Sequence, residues 1–158
     1  DGPDVHYATV RAVESAAEMR EAVLDAAEGA DALVSAAAIS DYTVESAPEK
    51  IRSGREDLTL DLVPTPKVID TVREQYPDLP IVGFKAETGG DDEEIVAEAR
   101  ETLDRVGLAF VVGNDADVMG ETATRALVVH PDDHEVFEGT KAGLGARVAS
   151  ELAAVLSD

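Results

Sequence analysis

Three apolar runs set the fold: ALVSAAA at 32–38, PIVGFKA at 80–86 and LAFVVGN at 108–114. The first and third are continuous rather than alternating, the signature of strands buried on both faces of a parallel sheet. Between them lie segments of helical period, PKVIDTVREQ at 66–75 and DDEEIVAEARETLDRVG at 91–107. Strands separated by helices predict a parallel or mostly parallel sheet covered on both sides, a three-layer α/β sandwich of the Rossmann-like kind.

The flanking sequence completes the pattern. VHYATV at 5–10 reads as a strand, and SAAEMREAVLDAAEGA at 15–30 as a helix with Ser15 at its N-cap and Glu18 three residues on. LTLDLV at 58–63 alternates, as an edge or half-exposed strand does. Pro66 is expected to occupy the first helical position of the next helix. RALVVH at 125–130 and HEVFEG at 134–139 flank a turn too short for a crossover, so they should form an antiparallel hairpin, followed by a last helix from Thr140 to Leu156. At 158 residues with no internal repeat or composition break, the chain reads as a single domain, 1–158.

Composition narrows the function classes. The chain holds 34 acidic and 13 basic residues, a net charge of −21, with lysine only at 50, 67, 85 and 141. Acids spread over amphipathic helices keep a surface hydrated in concentrated salt, so a halophilic source is expected, and nucleic acid and anionic membranes are poor partners. No apolar run approaches the roughly 20 residues that span a bilayer. Cysteine is absent, which removes disulfides and thiolate chemistry and agrees with a cytoplasmic protein.

Ligands of open α/β sheets bind beyond the carboxyl ends of the strands. Here those ends read ISDY at 39–42, KAET at 85–88 and GNDAD at 113–117, and the first is preceded by small residues, Ser35, Ala36 and Ala37, that let a ligand approach the backbone. Residues 39–57 show no secondary-structure period, so a flexible functional flap is expected there. Lys50, Lys67 and Lys85 all fall on this side of the sheet, with Arg52 and Arg55 in the flap. A pocket for a polyanion follows. The helix at 91–107 opens on four acids, whereas the helix opened by Pro66 has no acid in its expected first turn and carries Lys67 there, which makes it the better anion site.

Other chemistries lack support. Neither a dinucleotide fingerprint nor a P-loop is present. His6, His130 and His134 are not spaced as metal ligands, Ser35 and Ser40 have no neighbouring histidine base, and Asp115 with Asp117 reads more simply as a turn than as a magnesium site. The metal ligands stay unassigned.

In this order, SAAAISDY, PEKI, LDLVPTPKVI, VGFKAET and VVGNDA resemble the phosphopantothenoylcysteine synthetases, the phosphopantothenate–cysteine ligase half of the bifunctional coenzyme A biosynthesis flavoprotein. The likeness runs from about Val10 to the terminal helix. It implies a ligase that activates 4'-phosphopantothenate with CTP and Mg2+ as an acyl-cytidylate, releases pyrophosphate and forms an amide with cysteine. It further implies a homodimer fused to a flavin-dependent decarboxylase, to which any FMN would belong. By similarity, Ser35, Ala36, Ala37, Asp41, Pro66, Lys67, Val68, Ile69 and Phe84 contact the nucleotide, and Lys50 is the catalytic lysine of the flap. Lys85 and Asn114 are further candidates.

The chain departs from the family at Thr102 and Val106, where lysines are usual, and at Lys67, where aspartate is usual. It also lacks the glycine-rich opening unit, so it reads as the C-terminal portion of a longer polypeptide. The rival readings are a non-catalytic nucleotide-binding or assembly domain and a generic Rossmann-like oxidoreductase domain.

Overall fold

In a computed structural model, residues 7–44, 59–87, 91–115 and 123–157 are described. The elements run α1 (Ala16–Ala27), β1 (Leu33–Ser35), β2 (Tyr42–Val44), β3 (Leu62–Pro64), α2 (Val68–Gln75), β4 (Ile81–Glu87), α3 (Asp92–Val106), β5 (Phe110–Asp115), β6 (Ala123–Val129), β7 (His134–Thr140) and α4 (Lys141–Val155). Five strands form one sheet in the order β1-β4-β5-β6-β7, and β2 and β3 pair separately. β1, β4 and β5 are parallel, with Ser35 opposite Gly83 and Gly83 opposite Val111. β6 pairs antiparallel with β5, and the β6–β7 hairpin closes at His130–Asp133 as its short turn requires.

Side-chain alternation sorts the core into two layers. Ile81, Val111, Leu127 and Val129 face one way and pack with α1, α2 and α3 through Val23, Val72, Ile95 and Leu103. Val82, Phe110, Val112, Ala126 and Val128 face the other way and pack under α4 on Leu144 and Val148. Both faces of the sheet are thus covered, giving the expected three layers. Aliphatic residues fill most of it, and Phe110 is the one fully buried aromatic in the described core.

The helix ends follow their sequence signals. Ser15 Oγ accepts from Glu18 N at 3.1 Å, while Glu18 Oε2 accepts from Glu14 N at 2.8 Å, a capping box displaced by one residue on its return arm. Asp91 caps α3 by accepting from Glu94 N, and Gly107 ends it in the left-handed conformation at φ 72°. Thr140 caps α4 through Gly143 N.

Five expectations need correction. Residues 7–10 form no strand; a short polar segment without a partner strand cannot satisfy its backbone in a sheet. The run at 32–38 pairs only over Leu33–Ser35 and is an edge strand, with Val34 44 % exposed, because its neighbour is on one side only. Regular structure reaches into the expected flap: Tyr42–Val44 pairs antiparallel with Leu62–Pro64, so the alternating run at 58–63 serves a separate ribbon rather than the edge of the main sheet. Helix α2 begins two residues later than Pro66 predicts, with Lys67 at the N-cap. That shift brings Asp70 into the first turn, against the expectation of an acid-free end, and Arg105 on α3 takes up its charge at 2.6 Å.

Candidate functional site

A cleft of about 530 Å³ opens at the carboxyl ends of β1 and β4, bounded by the segment 37–41, the entry to α2 and the face of α3. Its lining joins residues far apart in sequence because a parallel strand order brings their tips together. Ser35 and Ala37 lie on it, as do Asp41, Pro66, Lys67, Val68 and Ile69, and Phe84 with Lys85 from β4. Ala36 does not: in an extended segment alternate residues project to opposite sides, and Ser35 and Ala37 take the cleft side. Ala38, Ile39 and Ser40 extend the same wall instead.

Phe84 is half-buried and also packs against the core layer under α4, so it stands at the boundary between cleft and core. Asn114 is on β5, in register with Ala86. Lys50 and most of the expected flap, residues 45–57, lie outside the described residues, as do Arg52, Arg55, His6 and Asp117.

The charges in the cleft come in pairs. Lys67 Nζ donates to Asp41 Oδ1, closing the gap between the end of the β1 segment and the start of α2. This hydrogen bond, reinforced by the ammonium charge, holds the Asp41 carboxyl below its ordinary value of 3.8. Lys85 Nζ reaches across from β4 to Glu98 Oε2 on α3 at 2.6 Å. Two of the chain's four lysines therefore line one cleft, in a protein with a net charge of −21. Both bonds are exchangeable, since the partners are at least 30 % exposed and water competes for them.

Backbone groups add to the cations. The N-cap of α2 has no side-chain hydrogen bond, so the amides of its first turn are available to a ligand in the cleft. The N-terminus of α3 is engaged by its own acids, Asp91 on Glu94 N and Asp92 in a two-pronged pair with Arg125.

Thr102 faces the cleft and donates to Glu98 O at 3.2 Å, whereas Val106 is buried in the core, 3 % exposed. The two departures from the family pattern are thus unlike: one changes the cleft, the other joins the hydrophobic interior. Sequence reasoning missed Thr65, Gly83, Leu108 and Val111 as lining residues. Thr65 stood beside Pro66 in a quoted motif, but the three others are core residues whose edge happens to face a cavity, and no local pattern marks them. No group of three or more His, Asp or Glu among the described residues is placed to hold a metal ion. The histidines have other surroundings: His130 lies 5.5 Å from the Phe110 ring and 3.6 Å from Glu151.

Fold and cleft together define a Rossmann-like α/β domain with a cation-bearing ligand site at the tips of its parallel strands. Residues 3–156 match the model of the DNA/pantothenate metabolism flavoprotein C-terminal domain, and the chain belongs to that family. It is 39% identical over 148 residues to the coenzyme A biosynthesis bifunctional protein CoaBC of Thermococcus kodakarensis, covering 91% of this chain and 36% of the relative. With the CoaBC of Methanocaldococcus jannaschii the identity is 32% over 149 residues, covering 93% and 37%. The chain thus spans a little over a third of the length of these relatives.

Among solved structures, the DNA/pantothenate metabolism flavoprotein of Streptococcus pneumoniae superposes with a TM-score of 0.81 at 22% identity, covering 92% of this chain and 72% of that one. A Cab2 variant in complex with phosphopantothenate-cysteine superposes at 0.72 with 21% identity, covering 92% and 51%.

Proposed function

We propose that this chain is the nucleotide-binding part of a phosphopantothenate–cysteine ligase that uses CTP in coenzyme A biosynthesis. The observation that carries the reading is the convergence of Ser35, Ala37, Asp41, the 66–69 segment and Phe84 on one cleft that also holds Lys67 and Lys85. Membership of the pantothenate-linked family and likeness to CoaBC proteins support it.

The reaction accumulates negative charge. The carboxylate oxygen of 4'-phosphopantothenate attacks the α-phosphorus of CTP and pyrophosphate leaves; the cysteine amine then attacks the acyl carbon and CMP leaves. Small side chains at 35 and 37 let the nucleotide lie against the backbone. Lys67, Lys85 and the free amides of α2 face its phosphates, and Lys50 closes over them from the flap. Magnesium enters with the nucleotide: Asp41 is the one carboxylate among the described residues of the lining, so phosphate oxygens and water supply most of its coordination. Homodimer formation, fusion to a flavin-dependent decarboxylase and a cytoplasmic location complete the proposal.

Calorimetry in molar salt tests it. Mg-CTP is expected to bind, and Lys67→Met to weaken that binding about tenfold or more, the scale of one charge-assisted hydrogen bond. In the intact polypeptide, Lys50→Ala is expected to abolish pyrophosphate release driven by phosphopantothenate and cysteine. Absence of binding to any nucleotide would remove the reading, and retention of NAD(P) would replace it with the oxidoreductase alternative.

A further inference from the structure

Behind the first cleft lies a second cavity of about 410 Å³, framed by the start of α1 and the β2 strand. The two share Ala38, Ile39, Ser40 and Thr65 as a common wall. Thr65 is 4 % exposed, and its hydroxyl has no hydrogen-bond partner among the described residues. Its backbone is fixed, Thr65 N donating to Asp41 O at 2.9 Å, so the side chain is held in the partition. A buried hydroxyl without a partner is costly and uncommon, and its position between two cavities gives it a reason.

The geometry points to a second ligand subsite behind Thr65 that takes an uncharged arm bearing hydroxyl and amide groups, belonging to the substrate whose carboxylate is activated in the first cleft. The chemistry of the lining selects that class. Among the described residues the second cavity has no lysine or arginine, and Glu14 together with the Glu18-filled end of α1 repels an anion. Ser40, Thr43 and Thr65 offer hydroxyls to amide and alcohol groups, while Met19 and Ile39 offer apolar contact to methyl groups between them. A terminal phosphate on such an arm therefore lies beyond this cavity. Thr65 donates to an acceptor of the ligand where it crosses from one cavity to the other, and the activated carboxylate end comes to rest by the nucleotide.

The inference rests on the ligase reading for the identity of the arm, and two measurements on the intact polypeptide separate the two. The chain has only two methionines, so the 13C-methyl signal of Met19 is assignable by Met19→Leu. Added 4'-phosphopantothenate is expected to shift that signal with or without CTP present; no shift at millimolar concentration, or loss of the shift when CTP is added, overturns the subsite. This readout decides the matter even if CTP does not bind and the ligase reading fails.

The second measurement uses Thr65→Val, which keeps the shape and removes the hydroxyl. It should melt at or above the wild-type temperature, since an unpaired polar group is lost. Turnover should fall at least tenfold, with a raised KM for phosphopantothenate and CTP binding within about twofold of wild type, and Thr65→Ser should restore it. Wild-type turnover in Thr65→Val, or a lowered melting temperature that Thr65→Ser restores without restoring turnover, would assign the hydroxyl a structural role and overturn the proposal.

Discussion

The ammonium of Lys67 and the carboxylate of Asp41, 26 residues apart in sequence, meet across the mouth of the cleft. Their bond keeps Asp41 ionised below its ordinary value of 3.8. A depressed carboxyl contributes stability above the unfolded value, near 3.8, and loses it as the pH falls through the lower folded value. Lys67→Met should therefore move the Asp41 titration, followed by carboxyl NMR, upward to the ordinary range. Both groups are well exposed, so molar salt, with a Debye length of about 3 Å, should produce part of the same shift in the unaltered protein. An Asp41 titration that ignores both changes would mean that the pair does not form in solution.

A second pair fixes α3 to the sheet. Arg125 on β6 meets both oxygens of Asp92, at 2.8 and 2.6 Å, with Glu138 at 3.5 Å on its other side. The hydrogen bond from Arg125 lowers the Asp92 carboxyl from 3.8, and the same bond raises the guanidinium, which stays charged throughout. The contribution is thus complete above the ordinary carboxylate range and vanishes at lower pH. Asp92→Asn should lower the urea midpoint at neutral pH and flatten its decline below about pH 4, so that variant and wild type converge in acid. Equal midpoints at pH 7 would show that the pair adds nothing.

Much of this was legible in the sequence because local patterns carried it. The helix boundaries of α1, α3 and α4 follow from Ser15, Asp91 with Gly107, and Thr140, whose side chains or φ preferences act within four residues. Parallel order followed from apolar runs without alternation. What failed depended on partners distant in sequence. Nothing in ALVSAAA distinguishes a central strand from an edge strand, and Tyr42–Val44 is a strand only because Leu62–Pro64 lies beside it. The site was found through motifs and lysine placement, yet Thr65 and Gly83 became visible only once the cavity walls were in place. The role of Ala36 was lost to a one-residue alternation that motif matching does not resolve.

Arg73 ties three elements together. From α2 its Nε donates to Val106 O at 3.0 Å and its Nη2 to Gly107 O at 2.8 Å, with further bonds to Tyr76 O and Pro77 O. It thereby satisfies carbonyls that the end of α3 cannot pair internally. Arg73→Met keeps the apolar stem and removes the donors. At about 1–2 kcal/mol for several partly exposed bonds, the variant should melt about 2–8 °C lower, with no change in nucleotide affinity since Arg73 is not on the cleft. Lysine, with one charge centre in place of a planar fork, should recover only part of the loss. A calorimetric melting temperature equal to wild type would deny the clamp.

Gly83 and Gly113 separate stability from binding. A Cβ on Gly83 would come within 2.9 Å of Leu108 Cδ1, the movable end of a side chain, and both residues line the cleft. One on Gly113 would meet Ile95 Cγ2 at 2.8 Å, a branch fixed close to its backbone, away from the lining. Overpacking costs about 1–3 kcal/mol, and how far the neighbour can yield decides where in that range each substitution falls. Gly113→Ala should sit near the upper end in chemical denaturation and leave Mg-CTP affinity unchanged. Gly83→Ala should cost less stability but weaken the nucleotide severalfold, because the displaced Leu108 moves into the space the ligand needs. The opposite ranking in paired denaturation and calorimetry would place the nucleotide elsewhere than against the β4 wall.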